Sequence, residues 1–249
     1  MNFNTANIQR YPINKNEVNV VDNFFDENGK ELYNELKDEY SFSFSYYNQK
    51  ALAVNKQDKF AEFLIPVNKG INKALFTHEL LHFSLISNGI NNKKALLDSI
   101  EEQKLYETLN ISEDNLMYIH NFLDHIIIYN DFKNMGYKDN EFVVDYNENR
   151  FNKDIEAFLW YKFKDGTPDD YAISFYISKY IGLRSPISYI KDYSKAYKLM
   201  KGWHSKLYNV CKSFVDEYQL ISNKDYSYIH EKYGIIISQF VRNLKKTLS

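Results

Sequence analysis

The first part of the chain carries the hydrophobic pattern of a small sheet. Residues 41–46 alternate strictly between serine and an aromatic residue, and this period of two predicts a half-buried strand. A turn over 47–50 leads into further predicted strands over 51–55 and 60–67. Pro66 lies near the end of the last strand, which favours an edge position because proline donates no hydrogen bond to a neighbouring strand. The pattern predicts a small, mostly antiparallel sheet.

The remainder of the chain has helical periodicity. Before the sheet, the pattern predicts a loose polar arm over 1–17, a short strand over 18–21 and a helix over 26–40. After the sheet, apolar residues at helical spacing predict helices over 71–87, 93–109, 113–134, 152–164, 169–182, 188–219 (weak at Gly202) and 225–247. The expected fold class is α+β, as one domain over 1–249: a sheet region over 1–70, central helices over 71–136 and a helical region over 150–249.

Composition narrows the classes of function. The 249 residues carry a net charge of −2, so no basic footprint for nucleic acid is present. Cys211 is the sole cysteine, which rules out an internal disulfide and a cysteine-rich metal site. Residues 1–15 are polar and no apolar run is long enough to span a bilayer. We expect a soluble, cytoplasmic protein without nucleic-acid or membrane partners.

The helix predicted over 71–87 contains the sequence His-Glu-Leu-Leu-His. Residues four apart lie on the same face of a helix, so His78 and His82 can direct two imidazoles at one metal ion. Glu79 lies beside that face and can reach a water on the metal, from which it takes a proton as general base. The flanking residues are almost all apolar, and two histidines and a glutamate in a buried helix need partners. The motif predicts a zinc site.

A catalytic zinc takes three protein ligands and a water, so a third ligand is required. The candidates are His120, Asp124, His125, Asp131 and Glu156. Neutral imidazole suits zinc well, and Asp124 and His125 lie in the middle of the helix predicted over 113–134. His125 is the first choice and Asp124 the alternative, and whichever is not the ligand can orient the other. His120 also fits a core histidine, and Glu156 fits a charge in the first turn of a helix.

A strand followed directly by a helix with His-Glu-x-x-His resembles the zincin metallopeptidases. The resemblance covers about residues 50–135 and is specific at the motif of residues 78–82. It implies a zinc-dependent peptidase with a peptide or protein substrate. It also implies that an edge strand, here 60–67, binds extended peptide by β-augmentation.

The subfamily is left open by the residues after the motif. Metzincins carry a glycine and a histidine where this chain has Leu85 and Asn88, and the Gly-Thr-x-Asp signature of aspzincins is absent. Gluzincins take the third ligand as a glutamate from a downstream helix, whereas this chain offers Asn-Phe-Leu-Asp-His at 121–125. The chain is therefore gluzincin-like with an atypical third ligand.

Three functions remain open at this point. The first is a zinc metallopeptidase-like hydrolase in which Glu79 activates water. The second is a non-catalytic binding or regulatory protein on the same scaffold, and the third is a metal-dependent hydrolase of a non-peptide amide. The intact Glu79 favours an enzyme. Hydrolysis also needs a group that stabilises the oxyanion. The candidates are His204, His230 and the many tyrosines, and the sequence does not choose among them.

Overall fold

The computed structural model describes residues 10–13, 20–49, 52–67, 72–107, 109, 111–143, 148–186, 191–222 and 230–248. These residues form ten α-helices and a four-stranded sheet. The predicted α+β class is confirmed. No helix in these ranges has the combination of length and apolar character that a membrane span requires.

The packing divides the chain into two compact units. The first runs to Ser87 and includes the segment from Asp131 to Val144, and the second consists of 88–130 and everything from Asp145 onward. The chain passes between the units three times, after Ser87, inside α5 (Glu113–Asn134) and after Val144. The helix α5 is unbroken, and its last turn belongs to the first unit. The expectation of one domain over 1–249 stays a prediction.

The first unit contains the sheet and three helices. Its elements are β1 (Arg10–Pro12), α1 (Val20–Phe24), α2 (Glu27–Leu36), β2 (Ser41–Tyr47), β3 (Ala53–Gln57), β4 (Phe60–Pro66) and α3 (Lys73–Ser87). Asp26 begins α2 as its N-cap, accepting a hydrogen bond from the Gly29 amide at 3.0 Å. The predicted strand over 41–46 and helix over 26–40 are therefore present, although α2 ends earlier, at Leu36.

The sheet has the order β1-β2-β4-β3 and is mixed. The β1–β2 and β3–β4 pairs are antiparallel, whereas β2 and β4 run parallel. The expectation that residues 60–67 form an edge strand is wrong, because β4 pairs with a strand on each side. Pro66 is accommodated as the last residue of β4, where a missing donor costs least. The edge strands are β1 and β3, and β3 ends in the polar sequence Asn-Lys-Gln.

Two predictions near the N-terminus are also wrong. Residues Arg10–Pro12 form β1 rather than part of a loose arm, and Val20 begins α1 although 18–21 was expected to be a strand. Residues 1–9 and 14–19 lie outside the described ranges. Three valines and an asparagine over 18–21 are too short a pattern to separate strand from helix, and the helix here ends at the buried Phe24, which the buried Phe25 follows.

An aromatic core joins the inner face of the sheet to α1 and α3. Phe44 and Phe63 stack across β2 and β4 with ring centroids 5.2 Å apart, and Phe63 stacks on Phe76 of α3 at 5.7 Å. Phe24 stacks on Phe76 at 5.1 Å. This contact surface explains why α3 is apolar on nearly every side, and it fixes the helix that carries the histidine pair.

The second unit is helical. Its elements are α4 (Asn92–Glu102), α5, α6 (Lys153–Phe163), α7 (Asp170–Leu183), α8 (Ser194–Trp203), α9 (Ser205–Ser222) and α10 (His230–Leu248). The single helix predicted over 188–219 is wrong, since the structure has two helices that meet at His204. The helix predicted over 93–109 is too long, because α4 ends at Glu102 before Lys104 takes a positive φ of 51°.

Candidate metal centre

The histidine pair lies on one face of α3. The Nε2 atoms of His78 and His82 are 3.2 Å apart. Two nitrogens bound to one tetrahedral zinc at about 2.05 Å lie about 3.3 Å apart, so the pair already has the separation that zinc requires. For both rings to bind through Nε2, each must be neutral with its proton on Nδ1.

His125 completes a group of three. The ligand atoms of His78, His82 and His125 all lie within 4.8 Å of one another, and among the described residues these three are the group that could hold a metal ion. His78 and His125 are each 5% exposed, and His82 is half-buried. The donor set consists of three imidazoles, which suits zinc, copper, nickel or iron by ligand chemistry.

The continuity of α5 accounts for the position of His125. Phe132, in the part of α5 that belongs to the first unit, lies with its ring 6.3 Å from the ring of His78. His125 precedes Phe132 by two helical turns and so lies on the same face of the same helix. The Phe122 ring, one turn before His125, makes an edge contact with its imidazole at 6.4 Å.

Asp124, the alternative third ligand, has another role. Its Oδ1 accepts a hydrogen bond from Asn92 Nδ2 at 2.7 Å, and Asn92 Oδ1 accepts one from the Tyr218 hydroxyl at 2.7 Å. His120 Nδ1 lies 3.9 Å from the other Asp124 oxygen. Consecutive residues differ by about 100° around a helix, so the interaction that holds Asp124 towards α4 and α9 also fixes the rotation of α5 that presents His125.

Among the described residues, the other ligand candidates do not belong to the group of three histidines. His120 Nε2 is 3.3 Å from the sulfur of Met117, and Glu156 pairs with Lys195 at 3.1 Å on the surface of the second unit. Asp131 is half-buried and does not belong to the group. His204 Nδ1 accepts the amide hydrogen of Leu207 at 3.1 Å, so it caps α9. The side chain of His230 lies outside the described residues.

Glu79 follows His78 directly and is half-buried. Burial raises the pKa of its carboxyl above the ordinary value, and the nearby His82 opposes that rise. A raised carboxyl pKa is a common property of groups that act as general bases or acids near neutral pH.

Aromatic side chains hold the ring of His78. Phe142 makes an edge contact with the imidazole at 4.6 Å between centroids, and Phe132 packs against Phe142 at 5.1 Å. Tyr137 stacks on Phe132 at 4.6 Å. Sequence reasoning missed Phe132 because the pattern of α5 favours no one face, and it missed Tyr137 and Phe142 because they follow α5 in a polar segment that resembles a loop. The one signal was Gly136, which ends α5 with a φ of +87° and turns the chain back.

Comparison with known proteins identifies no relative of this chain. No model of a known protein family matches the sequence. A search of curated proteins and a search of solved structures return no match either. The function is therefore argued from the residues of the site.

Proposed function

We propose that the protein is a zinc-dependent hydrolase in which His78, His82 and His125 bind the metal and Glu79 is the general base. The observation that carries the proposal is the group of three histidines on α3 and α5, two of which have nitrogens 3.2 Å apart. Copper, nickel or iron would accept the same donors, and zinc is favoured by the His-Glu-x-x-His spacing on a helix.

Glu79 gives the site a catalytic group that a purely structural site does not need. A zinc ion, when bound, acidifies a water and polarises a substrate carbonyl. The chain's own contribution is a carboxylate next to the ligand His78, with a pKa raised by burial. That carboxylate accepts the proton of the attacking water and can return it to the leaving amine. Peptide is the proposed substrate class, on the resemblance of the motif to zincin peptidases.

A non-catalytic zinc-binding protein is the second candidate. The low exposure of His78 and His125, 5% each, favours it, because structural zinc sites are closed to solvent whereas catalytic ones keep an open position. The two candidates make opposite predictions for Glu79, since a structural site does not use that carboxylate.

The test is Glu79→Gln, which keeps the size of the side chain and removes the base. We expect the variant to bind one zinc per chain, as the wild type does, and to lose about 10²–10⁴-fold in hydrolysis. Zinc is measured by elemental analysis of protein purified without added metal, and cleavage is measured by mass spectrometry of a mixed peptide library.

The matched control is His82→Ala, which should lose both zinc and cleavage. Equal cleavage by the wild type and Glu79→Gln would assign the activity to another site or a contaminant. A wild type that holds zinc and cleaves nothing favours the non-catalytic candidate, and a wild type that binds no zinc on titration contradicts both.

A further inference from the structure

A hydrogen-bonded chain of three side chains ends beside the ligand His78. The Tyr137 hydroxyl donates to Asp26 Oδ1 at 2.5 Å and lies 3.0 Å from Thr77 Oγ1. A phenol has one proton, and because Tyr137 directs that proton at Asp26, its oxygen is an acceptor for the Thr77 hydroxyl, which can also donate to the Lys73 carbonyl at 3.3 Å. Asp26 is also the N-cap of α2. These hydrogen bonds therefore connect the start of α2, the middle of α3 and the segment after α5 within the first unit.

Tyr137 reaches His78 by two routes. The first runs through the backbone, because Tyr137 contacts the hydroxyl of Thr77, and Thr77 directly precedes His78 in the sequence. The second is through rings, because Tyr137 stacks on Phe132 at 4.6 Å while Phe132 and Phe142 both face the imidazole of His78. One side chain thus acts on both the backbone and the ring of a proposed ligand.

The surroundings of Thr77 leave it little freedom. Thr77 is fully buried, and a Cβ added at Gly29 of α2 would stand 2.5 Å from its Oγ1. Gly29 is therefore required for the close approach of α2 to α3 at this point. The hydroxyl cannot move towards α2, and it has two polar neighbours on its other sides: the Lys73 carbonyl of its own helix at 3.3 Å and the Tyr137 oxygen at 3.0 Å. Tyr137 is the neighbour that comes from outside α3.

We propose that Tyr137 is a positioning residue of the metal site, holding His78 so that its Nε2 faces that of His82. The proposal rests on the proposed zinc site and deepens it. Groups that orient a metal ligand typically change metal affinity by about 10–100-fold when they are replaced. The Tyr137 hydroxyl is engaged with Asp26 and Thr77, so its contribution is to the geometry of His78 and not to the coordination itself.

The test compares Tyr137→Phe with a matched control, Tyr176→Phe. Both remove a hydroxyl that makes a hydrogen bond in the interior: Tyr176 donates to the Met200 carbonyl at 2.9 Å in the second unit. Zinc affinity is measured by competition with a chromophoric chelator, and the visible absorption of the cobalt-substituted protein reports ligand geometry. We expect Tyr137→Phe to weaken zinc binding by about 10–100-fold and to alter the cobalt spectrum, and Tyr176→Phe to change neither.

A second pair of variants, at Thr77, keeps the proposal testable if Tyr137→Phe does not fold. Thr77→Val removes the donor and should reproduce the loss of affinity, whereas Thr77→Ser keeps a hydroxyl and should restore it. Wild-type zinc affinity and an unchanged cobalt spectrum in both Tyr137→Phe and Thr77→Val would overturn the positioning role while leaving the zinc site standing. A wild type that does not bind zinc in the same titration would instead remove the proposed function, and the positioning role with it.

Discussion

At the scale of single residues, the candidate site depends on which residue of α5 joins His78 and His82. The sequence predicts His78 and His82 as a pair because four residues make about one helical turn. The sequence does not choose between Asp124 and His125, since α5 is apolar on most sides and its hydrophobic pattern does not predict which face is towards the metal site. The choice follows from contacts that no pattern shows, above all the hydrogen bond from the buried Asn92 to Asp124.

The first prediction separates the two candidates for third ligand. His125→Ala should weaken zinc binding by more than the roughly 10–100-fold typical of outer-shell replacements, because it removes a donor from the group of three. Asp124→Asn should retain zinc, because the asparagine oxygen can still accept the hydrogen bond from Asn92. Affinity is measured by chelator competition, with His120→Ala as the control. A loss in Asp124→Asn together with full affinity in His125→Ala would make the carboxylate the ligand.

At the scale of elements, local signals are strong where a cap or a strict period is present. Asp26 caps the start of α2, and Ser112 caps the start of α5, where its Oγ accepts a hydrogen bond from the Asn115 amide at 3.2 Å. Gly89 and Gly136 follow the ends of α3 and α5 with positive φ. The serine–aromatic alternation gives β2. Strand order has no comparable local signal, because the parallel pairing of β2 with β4 joins segments that are separated by β3.

The break between α8 and α9 has a helix cap that the sequence pattern does not predict, because the capping residue of α9 is His204. Gly202 was the expected weak point, but the helices meet at His204, whose amide donates to Met200 and whose Nδ1 accepts from Leu207. Histidine is not among the residues usually preferred at an N-cap, so a search for Ser, Thr, Asp or Asn passes over it. The cap works only while Nδ1 carries no proton.

That cap gives a prediction for the pH dependence of stability. Burial lowers the pKa of His204 in the folded protein, and the neighbouring Lys206 acts in the same direction. The unfolded chain then binds more protons below the ordinary histidine pKa of about 6.5, so this contribution to the free energy of unfolding is present above that pH and is lost as the pH falls through the folded pKa.

The measurement is urea unfolding of the wild type and His204→Asn between pH 7.5 and pH 5, a range chosen to span about one and a half units below the ordinary pKa. Asparagine keeps an acceptor for the Leu207 amide and does not titrate. We expect the two proteins to have similar stability at the upper end and the wild type to be less stable at the lower end. Contributions from all other groups are common to the two proteins and cancel in the difference. Parallel curves over the whole range would show that His204 does not act as a titrating cap.

At the scale of the whole molecule, the proposed ligands come from distant parts of the chain. His78 and His82 belong to α3, and His125 lies on the helix that both compact units share. One of the three places where the chain passes between the units lies inside α5, so no linker composition marks it in the sequence. A metal that requires all three side chains binds the folded chain in preference to the unfolded one.

The last prediction follows from that preference. A ligand at about 100 times its dissociation constant stabilises the state it binds by about 2.7 kcal/mol. Zinc at such an excess should raise the unfolding temperature of the metal-stripped wild type, and a chelator should reverse the rise. Glu79→Gln should respond as the wild type does, because its three histidines are intact, whereas His78→Ala and His125→Ala should respond weakly. Differential scanning calorimetry with and without zinc makes the comparison, with magnesium, which prefers oxygen ligands, as the control ion. An equal rise in the wild type and both histidine variants would place the bound zinc elsewhere on the chain.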